Sequence, residues 1–308
     1  MIVARSLEEL KFDKKSIITV GTFDGVHLGH QEIIKILNSV KQNKGLRSVI
    51  VTFDPHPQIV LRNKDRDIKI LSTTDEKIKI FESYGIDLVY IINFTKEFSQ
   101  TPAREFYIKY LINGVGMTDL VLGYDHMFGK NREGNFDTLA EMSKEFDFNV
   151  DKVEEFTLNG AHISSTEIRN FLLTGEIEKA NDLLGREYSI EGEVIHGDKR
   201  GKELGYPTAN LKIDEFKLIP KKGIYAVSVE IDGKRHNGMM SIGVNPTVSD
   251  NDNLKIEVNI FDFDKDIYGK KIKVNFIDYL REEQKFNSLE DLIEAMASDK
   301  TKVLNKLN

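Results

Sequence analysis

The sequence predicts an α/β doubly wound N-terminal domain followed by a small antiparallel β-barrel or sandwich domain with a terminal helix. Three observations carry this. Short β-branched apolar runs alternate with helix-periodic stretches through the first half of the chain, the order that builds a parallel sheet with helices on both faces. From Tyr188 onward, polar and apolar residues alternate between Gly, Asp and Asn punctuation, as in antiparallel strands joined by turns. The 308 residues also exceed what one core organises, since domains run to roughly 100–200 residues. The expected division is 1–185 and 186–308, at Gly185.

In order along the chain, "SIITVGTF" (16–23), "SVIVTF" (48–53), "DLVYIINF" (87–94) and "DLVLGYD" (119–125) are apolar without alternation, as strands buried on both faces are. After His30, residues Ile33, Ile34, Leu37 and Val40 share one face of a 3.6-residue period. "TPAREFYIKYLIN" predicts a helix with Thr101 as N-cap and Pro102 at its first position, presenting Phe106, Tyr110 and Leu111 on one face. "SSTEIRNFLLTGEIEKANDLLG" (164–185) reads as two short helices, each stopped by a glycine. "YSIEGEVIHGD", "GIYAVSVEIDGKRHNGMMSIGV", "LKIEVNIFDFD" and "KKIKVNFIDYL" read as strands, with Asp232-Gly233 as a hairpin turn. "SLEDLIEAMASDKTKVLNKL" closes the chain as an amphipathic helix capped by Ser288, with Asp291 in its first turn.

Composition narrows the function. A net charge of −7 disfavours a broad nucleic-acid face, which needs a basic surface, but permits a local phosphate pocket. The absence of cysteine removes disulfides, thiolate zinc sites and cysteine nucleophiles, and fits a reducing cytoplasm. "MIVARSLEEL" carries Arg5, Glu8 and Glu9 and no apolar core, unlike a signal peptide. No apolar run reaches the roughly 18–20 residues of a membrane span. A cytoplasmic protein is expected, with no nucleic-acid or membrane partner.

Two constellations carry chemistry. In "GTFDGVHLGH" (21–30), His27 and His30 sit where a strand gives way to a helix, and Gly29 between them allows close approach. The free N–H groups and dipole of a helix start favour phosphate, and two imidazoles there could stabilise charge on a phosphorus under attack. Zinc or plain packing at a helix start are the other readings; zinc lacks a cluster of further ligands. "SSTEIR" offers Ser165 and Thr166 as helix-start hydroxyls and Arg169 as a fork of donors for a polyphosphate, or else a simple capping box. His56, framed by prolines in "VTFDPHP", could reach phosphate, and Asp125 in "GYDHMFG" is a polar contact or a turn residue.

The second constellation is "GEVIHGDKRGKELGYPTANL" (192–211). Its glycines, Gly197, Gly201 and Gly205 among them, bring backbone close to a ligand or permit tight turns. Thr208 and Asn210, two apart in a strand, place hard oxygens on one face, a donor set that suits Mg²⁺ beside phosphate. Downstream, Glu257 interrupts an alternating strand, where a carboxylate is unusual unless paired or catalytic.

Taken together, the "TFDG", HxGH, "VTFDPHP", "GYDHMFG" and "SSTEIR" segments, "GYPTAN" and "YLREEQKF" (279–286) resemble the prokaryotic bifunctional riboflavin kinase/FAD synthetases over essentially the whole chain. The resemblance implies a nucleotidyltransferase-type first domain that adenylylates FMN to FAD, and a second that phosphorylates riboflavin to FMN with MgATP. It implies that His27, His30 and Arg169 stabilise transition-state charge. Gly21, Phe23, Asp24, Gly29, His56, Asp125, Ser165 and Thr166 would bind substrate in the first domain. In the second, Gly197, Lys199, Gly201, Gly205 and Pro207 would cover the ATP phosphates. Thr208 and Asn210 would hold Mg²⁺, Glu257 would act as base, and Arg281 would contact flavin. One departure is His126, where the family's loop carries an aromatic residue. It leaves room for a chain with one working activity. A different HxGH adenylyltransferase or a flavin-binding regulator are the remaining alternatives.

Overall fold

The computed structural model describes residues 1–61, 68–124, 129, 134–158, 161–197, 205–244 and 254–307. The chain forms two compact units, Met1–Ser165 and Thr166–Asn308.

The first unit is a six-stranded, all-parallel sheet. Its strands are β1 (Ile2–Ala4), β2 (Ser16–Val20), β3 (Arg47–Asp54), β4 (Leu88–Asn93), β5 (Met117–Leu122) and β6 (Asn149–Lys152), in the order β1-β4-β3-β2-β5-β6. Helix α1 (Leu28–Lys44) and α3 (Thr74–Ser83) cover one face, where Ile34, Leu37 and Phe81 pack on Ile17, Ile50 and Val89. The other face takes α4 (Ala103–Phe106) with its π-helical continuation (Tyr107–Val115) and α5 (Phe136–Phe146). Alternate residues of β3 serve opposite faces: Val49, Val51 and Phe53 one way, Ile50 the other. That is why these strands read as unbroken apolar runs. A short helix, α2 (Pro57–Leu61), follows β3, and an antiparallel pair, β7 (Thr157–Leu158) and β8 (Ala161–His162), follows β6.

Two local expectations shift. The helix expected to start at Pro102 with Thr101 as cap starts at Ala103, with Pro102 itself as N-cap in an extended conformation (ψ 143°). The chain then widens into the π form, so Tyr107, Leu111 and Val115 are buried together with Phe106, and Tyr110 stacks on Phe106 from the partly buried side.

The second unit opens with α6 (Ser165–Thr174, its first residue shared with the first unit) and α7 (Ile177–Leu184). Each gives way to a left-handed glycine, Gly175 and Gly185. Six antiparallel strands follow: β9 (Tyr188–Ile195), β10 (Thr208–Ile213), β11 (Gly223–Ile231), β12 (Lys234–Val244), β13 (Leu254–Ile260) and β14 (Lys271–Arg281). They close as a barrel in the order β10-β13-β12-β11-β14-β9. Asp232 and Gly233 both take positive φ at the β11–β12 turn, as a two-residue hairpin needs. Tyr188, Tyr225 and Phe276 pack inside the barrel, Tyr225 edge-on to Phe276. Helix α8 (Leu289–Leu307) is capped by Ser288, whose Oγ accepts from Asp291 N at 3.1 Å, and lays Met296 and Val303 on Ala226 and Met239. Those two residues alternate with the inward ones, so α8 covers part of the barrel's outer face.

Candidate active sites

In the first unit β2 lies between β3 and β5, where the connections change sides. Ligands of open α/β sheets bind at such a switch point, beyond the carboxyl ends of the strands. The chain leaves β2 with Gly21 N donating to Val51 O at 3.0 Å and turns sharply through Phe23 (φ 49°), Gly25 (φ 82°) and Val26 (φ 39°). Positive φ at a non-glycine, above all a β-branched valine, is strained and persists only where surroundings hold it. His27 then caps α1 with extended backbone, its carbonyl accepting from Gln31 N. The imidazoles of His27 and His30 stack at 3.7 Å with 19° between planes. A Cβ at Gly29 would stand 3.3 Å from the His27 ring, so glycine leaves that ring room. Phe23 is buried beneath, 5.1 Å from His30 and edge-on to Phe81. Two imidazoles are thus fixed at the positive end of a 17-residue helix, a place that favours anions.

Several segments converge on this turn. The buried Asp24 accepts through Oδ1 from Leu71 N (2.8 Å) and Ser72 N (3.1 Å). Its carbonyl accepts from Ser165 Oγ at 2.8 Å, tying the start of "SSTEIR" to "TFDG". Ser165 therefore gives its one hydroxyl proton to Asp24 in this structure. Thr166 and Arg169 follow on α6, in the second compact unit. His56 is buried, its Nδ1 accepting from Gln58 N at 3.2 Å. Asp125 and His126 lie outside the described residues; Gly129 of the same loop takes φ 83° and leaves no room for a Cβ against the Ala103 backbone.

One buried residue had no signal in the sequence. Lys77 of α3 is 3 % exposed, and its Nζ donates to Thr22 O (3.1 Å) and Thr52 Oγ1 (3.2 Å). In "TDEKIKIFES" it looks like one more solvated charge. Burial lowers its pKa from 10.5 to about 8, against the opposing pull of Asp24 and Asp54. The unfolded chain therefore binds more protons between pH 8 and 10.5, so stability rises with pH in that window. Relative to Lys77→Met, the wild-type first unit is expected to gain up to about 3 kcal/mol between pH 8 and 10.5, from the 1.36 kcal/mol per pKa unit. Urea unfolding of both proteins across that range measures it; a constant difference would contradict the assignment.

In the second unit the candidate residues gather on the barrel's outer face. Asn210 pairs in register with Glu257, Glu257 with Ser241, and Thr208 with Asn259, so these side chains point the same way. Thr208 Oγ1 stands 3.5 Å from Glu257 Oε1, and Lys255 Nζ 3.2 Å from the same oxygen. Asn259 Nδ2 donates to Pro207 O at 2.7 Å, pinning the entry to β10. Gly205 takes φ 78° just before. A cavity of about 410 Å³ opens here, lined by Thr208, Glu257, Arg281, Glu283, Phe286 and Met296 among others. Arg281 is held by the buried Asp299 of α8 through Nη2–Oδ2 (2.7 Å) and Nε–Oδ2 (2.9 Å) contacts. Glu283 faces Ser241, and its pKa is raised by burial and by the charge of Glu257, against the Ser241, Lys222 and Arg281 contacts that lower it. The Arg281–Asp299 pair spans 18 residues of sequence and no local pattern announces it.

Family models match the chain in two consecutive stretches: FAD synthetase over residues 9–167 and riboflavin kinase over 184–307. Proteins named bifunctional riboflavin kinase/FMN adenylyltransferase are similar over nearly their whole length. That of Listeria monocytogenes is 41% identical over 93% of this chain and 91% of its own; that of Bacillus subtilis is 36% identical over 94% and 92%. The chain belongs to the bifunctional riboflavin kinase/FMN adenylyltransferase family. A solved Streptococcus pneumoniae structure described as a macrolide-efflux protein has a TM-score of 0.89 at 32% identity, covering 99% of this chain and 98% of that one. No helix among the described residues here is long and apolar enough to cross a membrane.

Of the riboflavin kinase segment's glycine-rich loop, Lys199 and Gly201 lie outside the described residues, while Gly197 packs against Asn210. A Cβ at Gly197 would overlap the Asn210 amide. Gly197→Ala is expected to displace that amide and slow FMN formation about 10–100-fold, since misplacement by an ångström costs that much. FAD formation from supplied FMN is expected to stay unchanged. Steady-state rates for both reactions check this.

Proposed function

We propose that this chain makes FMN from riboflavin in residues 186–308 and FAD from FMN in residues 1–185. The observation that carries the reading is that each of the two matched stretches holds its own constellation. One is the stacked His27–His30 pair at a strand-to-helix turn. The other is Glu257 beside Thr208 in a cavity.

In the kinase reaction riboflavin lies in the cavity between the barrel's outer face and α8. Glu257 accepts the proton of the ribityl 5′-hydroxyl as that oxygen attacks the γ-phosphorus of ATP; ADP leaves. Arg281, locked by Asp299, orients the flavin from the cavity wall. The hydroxyl of Thr208 and the amide oxygen of Asn210 face the same side as Glu257. Hard neutral oxygens fit Mg²⁺, which takes water and phosphate oxygens as its other ligands. Bound there with ATP, it would neutralise charge on the phosphates.

In the adenylyl transfer a phosphate oxygen of FMN attacks the α-phosphorus of ATP in line, and pyrophosphate leaves. His27 and His30 hydrogen-bond the phosphate oxygens where negative charge builds, assisted by the N-terminus of α1. Arg169, one turn beyond Ser165 on α6, supplies a planar fork of donors for the polyphosphate.

Incubation with riboflavin, ATP and Mg²⁺, followed by chromatography of the flavins, tests this reading. FMN appearing first and FAD after it supports both activities. FMN alone would remove the adenylyltransferase, and unconsumed riboflavin would remove the kinase.

A further inference from the structure

We infer that Lys77 is a positioning residue of the adenylyl-transfer site, its ammonium fixing the strained Thr22–His27 turn through Thr22 O and Thr52 Oγ1 and thereby aiming the imidazole pair. The inference rests on the reading of His27 and His30 as that site.

Three residues of the turn hold positive φ, Phe23, Gly25 and Val26. A non-glycine residue there is strained and stays only when neighbouring structure over-determines it. Val26 N donates to Phe23 O, and Val26 O accepts from Gln31 Nε2 at 2.9 Å. Asp24 is held by Leu71, Ser72 and Ser165. At the turn's other end, Thr22 O accepts from Lys77 Nζ at 3.1 Å and from Thr52 Oγ1 at 3.3 Å, and that same hydroxyl accepts from Lys77 at 3.2 Å. A hydroxyl gives one proton and accepts on its lone pairs, so Lys77, Thr52 and Thr22 form one directed chain. Thr52 is 1 % exposed and Lys77 3 %.

Stability does not explain a lysine in this place. Withdrawing an ammonium from water is unfavourable, and a methionine of similar length would fill the same space. What methionine cannot do is donate to the carbonyl from which the turn springs. Asp24 and Asp54 balance the charge, and Asp24 is itself part of the turn. The same lysine therefore touches the backbone and answers the carboxylate of the segment that presents His27.

The test measures FAD formation from supplied FMN in Lys77→Met, Thr52→Val and Thr52→Ser. Lys77→Met is expected to lower kcat about 100-fold with KM for FMN within about twofold, because positioning is lost while the binding surface remains. FMN formation from riboflavin should not change. Thr52→Val is expected to fall about tenfold and Thr52→Ser to keep the wild-type rate, since serine retains the hydroxyl. A folded Lys77→Met protein with wild-type kcat would overturn the inference. If Lys77→Met does not fold, the Thr52 pair decides: equal rates for Val and Ser would overturn it. His30→Ala serves as the separating control, since unchanged FAD formation in that variant would sink the site itself.

Discussion

His30→Ala is expected to stop FAD formation from supplied FMN and leave FMN formation from riboflavin at its wild-type rate. The imidazole of His30 lies in the first turn of α1, stacked on His27 and backed by Phe23. Charge that develops on the attacked phosphate meets a donor already in place, so no reorganisation is needed during the step. Loss of one such donor typically costs about 10²–10³-fold in kcat. Here the loss also removes the ring against which His27 stacks, so the upper end of that range is expected. The proposed kinase site, with Thr208, Glu257 and the cavity, lies in the Thr166–Asn308 unit, and that is why FMN formation should be spared. Release of pyrophosphate with FMN and ATP as substrates measures the first effect, and chromatography of FMN from riboflavin measures the second.

Glu257→Gln is expected to give the mirror image. The amide keeps the shape of the side chain at its place opposite Asn210 and Ser241, but it cannot take the proton of the attacking hydroxyl. A general base contributes about 10²–10⁴-fold, so kcat for FMN formation should fall by that factor with little change in KM for riboflavin. The neighbouring Glu283, whose own pKa is raised, does not replace it. Glu283 contacts Ser241 Oγ, whereas Glu257 Oε1 stands beside Thr208 Oγ1. FAD formation from supplied FMN should proceed at the wild-type rate. A Glu257→Gln protein that phosphorylates riboflavin normally would remove Glu257 from the mechanism.

Much of this architecture was legible because its causes are local. Central strands β2 to β5 are buried on both faces, so each reads as an apolar run. The helix stops at Gly175 and Gly185 and the Asp232-Gly233 turn follow from backbone freedom that those residues alone supply. The edge strands were not legible. β1 has three residues, and β6 ("NVDK") is largely exposed, so neither accumulates enough apolar pattern to stand out. The histidine pair and Glu257 could be placed from the chain, since both sit at breaks in a local pattern. Lys77 and the Arg281–Asp299 pair could not. Their burial is decided by distant segments, β3 and the "TFDG" turn for the first and α8 for the second. Nothing within a few residues of Lys77 separates it from the exposed Lys79 on the same helix.

The central claim is that one chain carries two separately addressable sites joined by FMN. The most direct measurement mixes purified His30→Ala and Glu257→Gln proteins with riboflavin, ATP and Mg²⁺ and follows the flavins by chromatography. Alone, the first should stop at FMN and the second should leave riboflavin untouched. Together they should make FAD, because the FMN released by one is adenylylated by the other. A mixture of the two folded proteins that accumulates FMN without FAD would contradict the account.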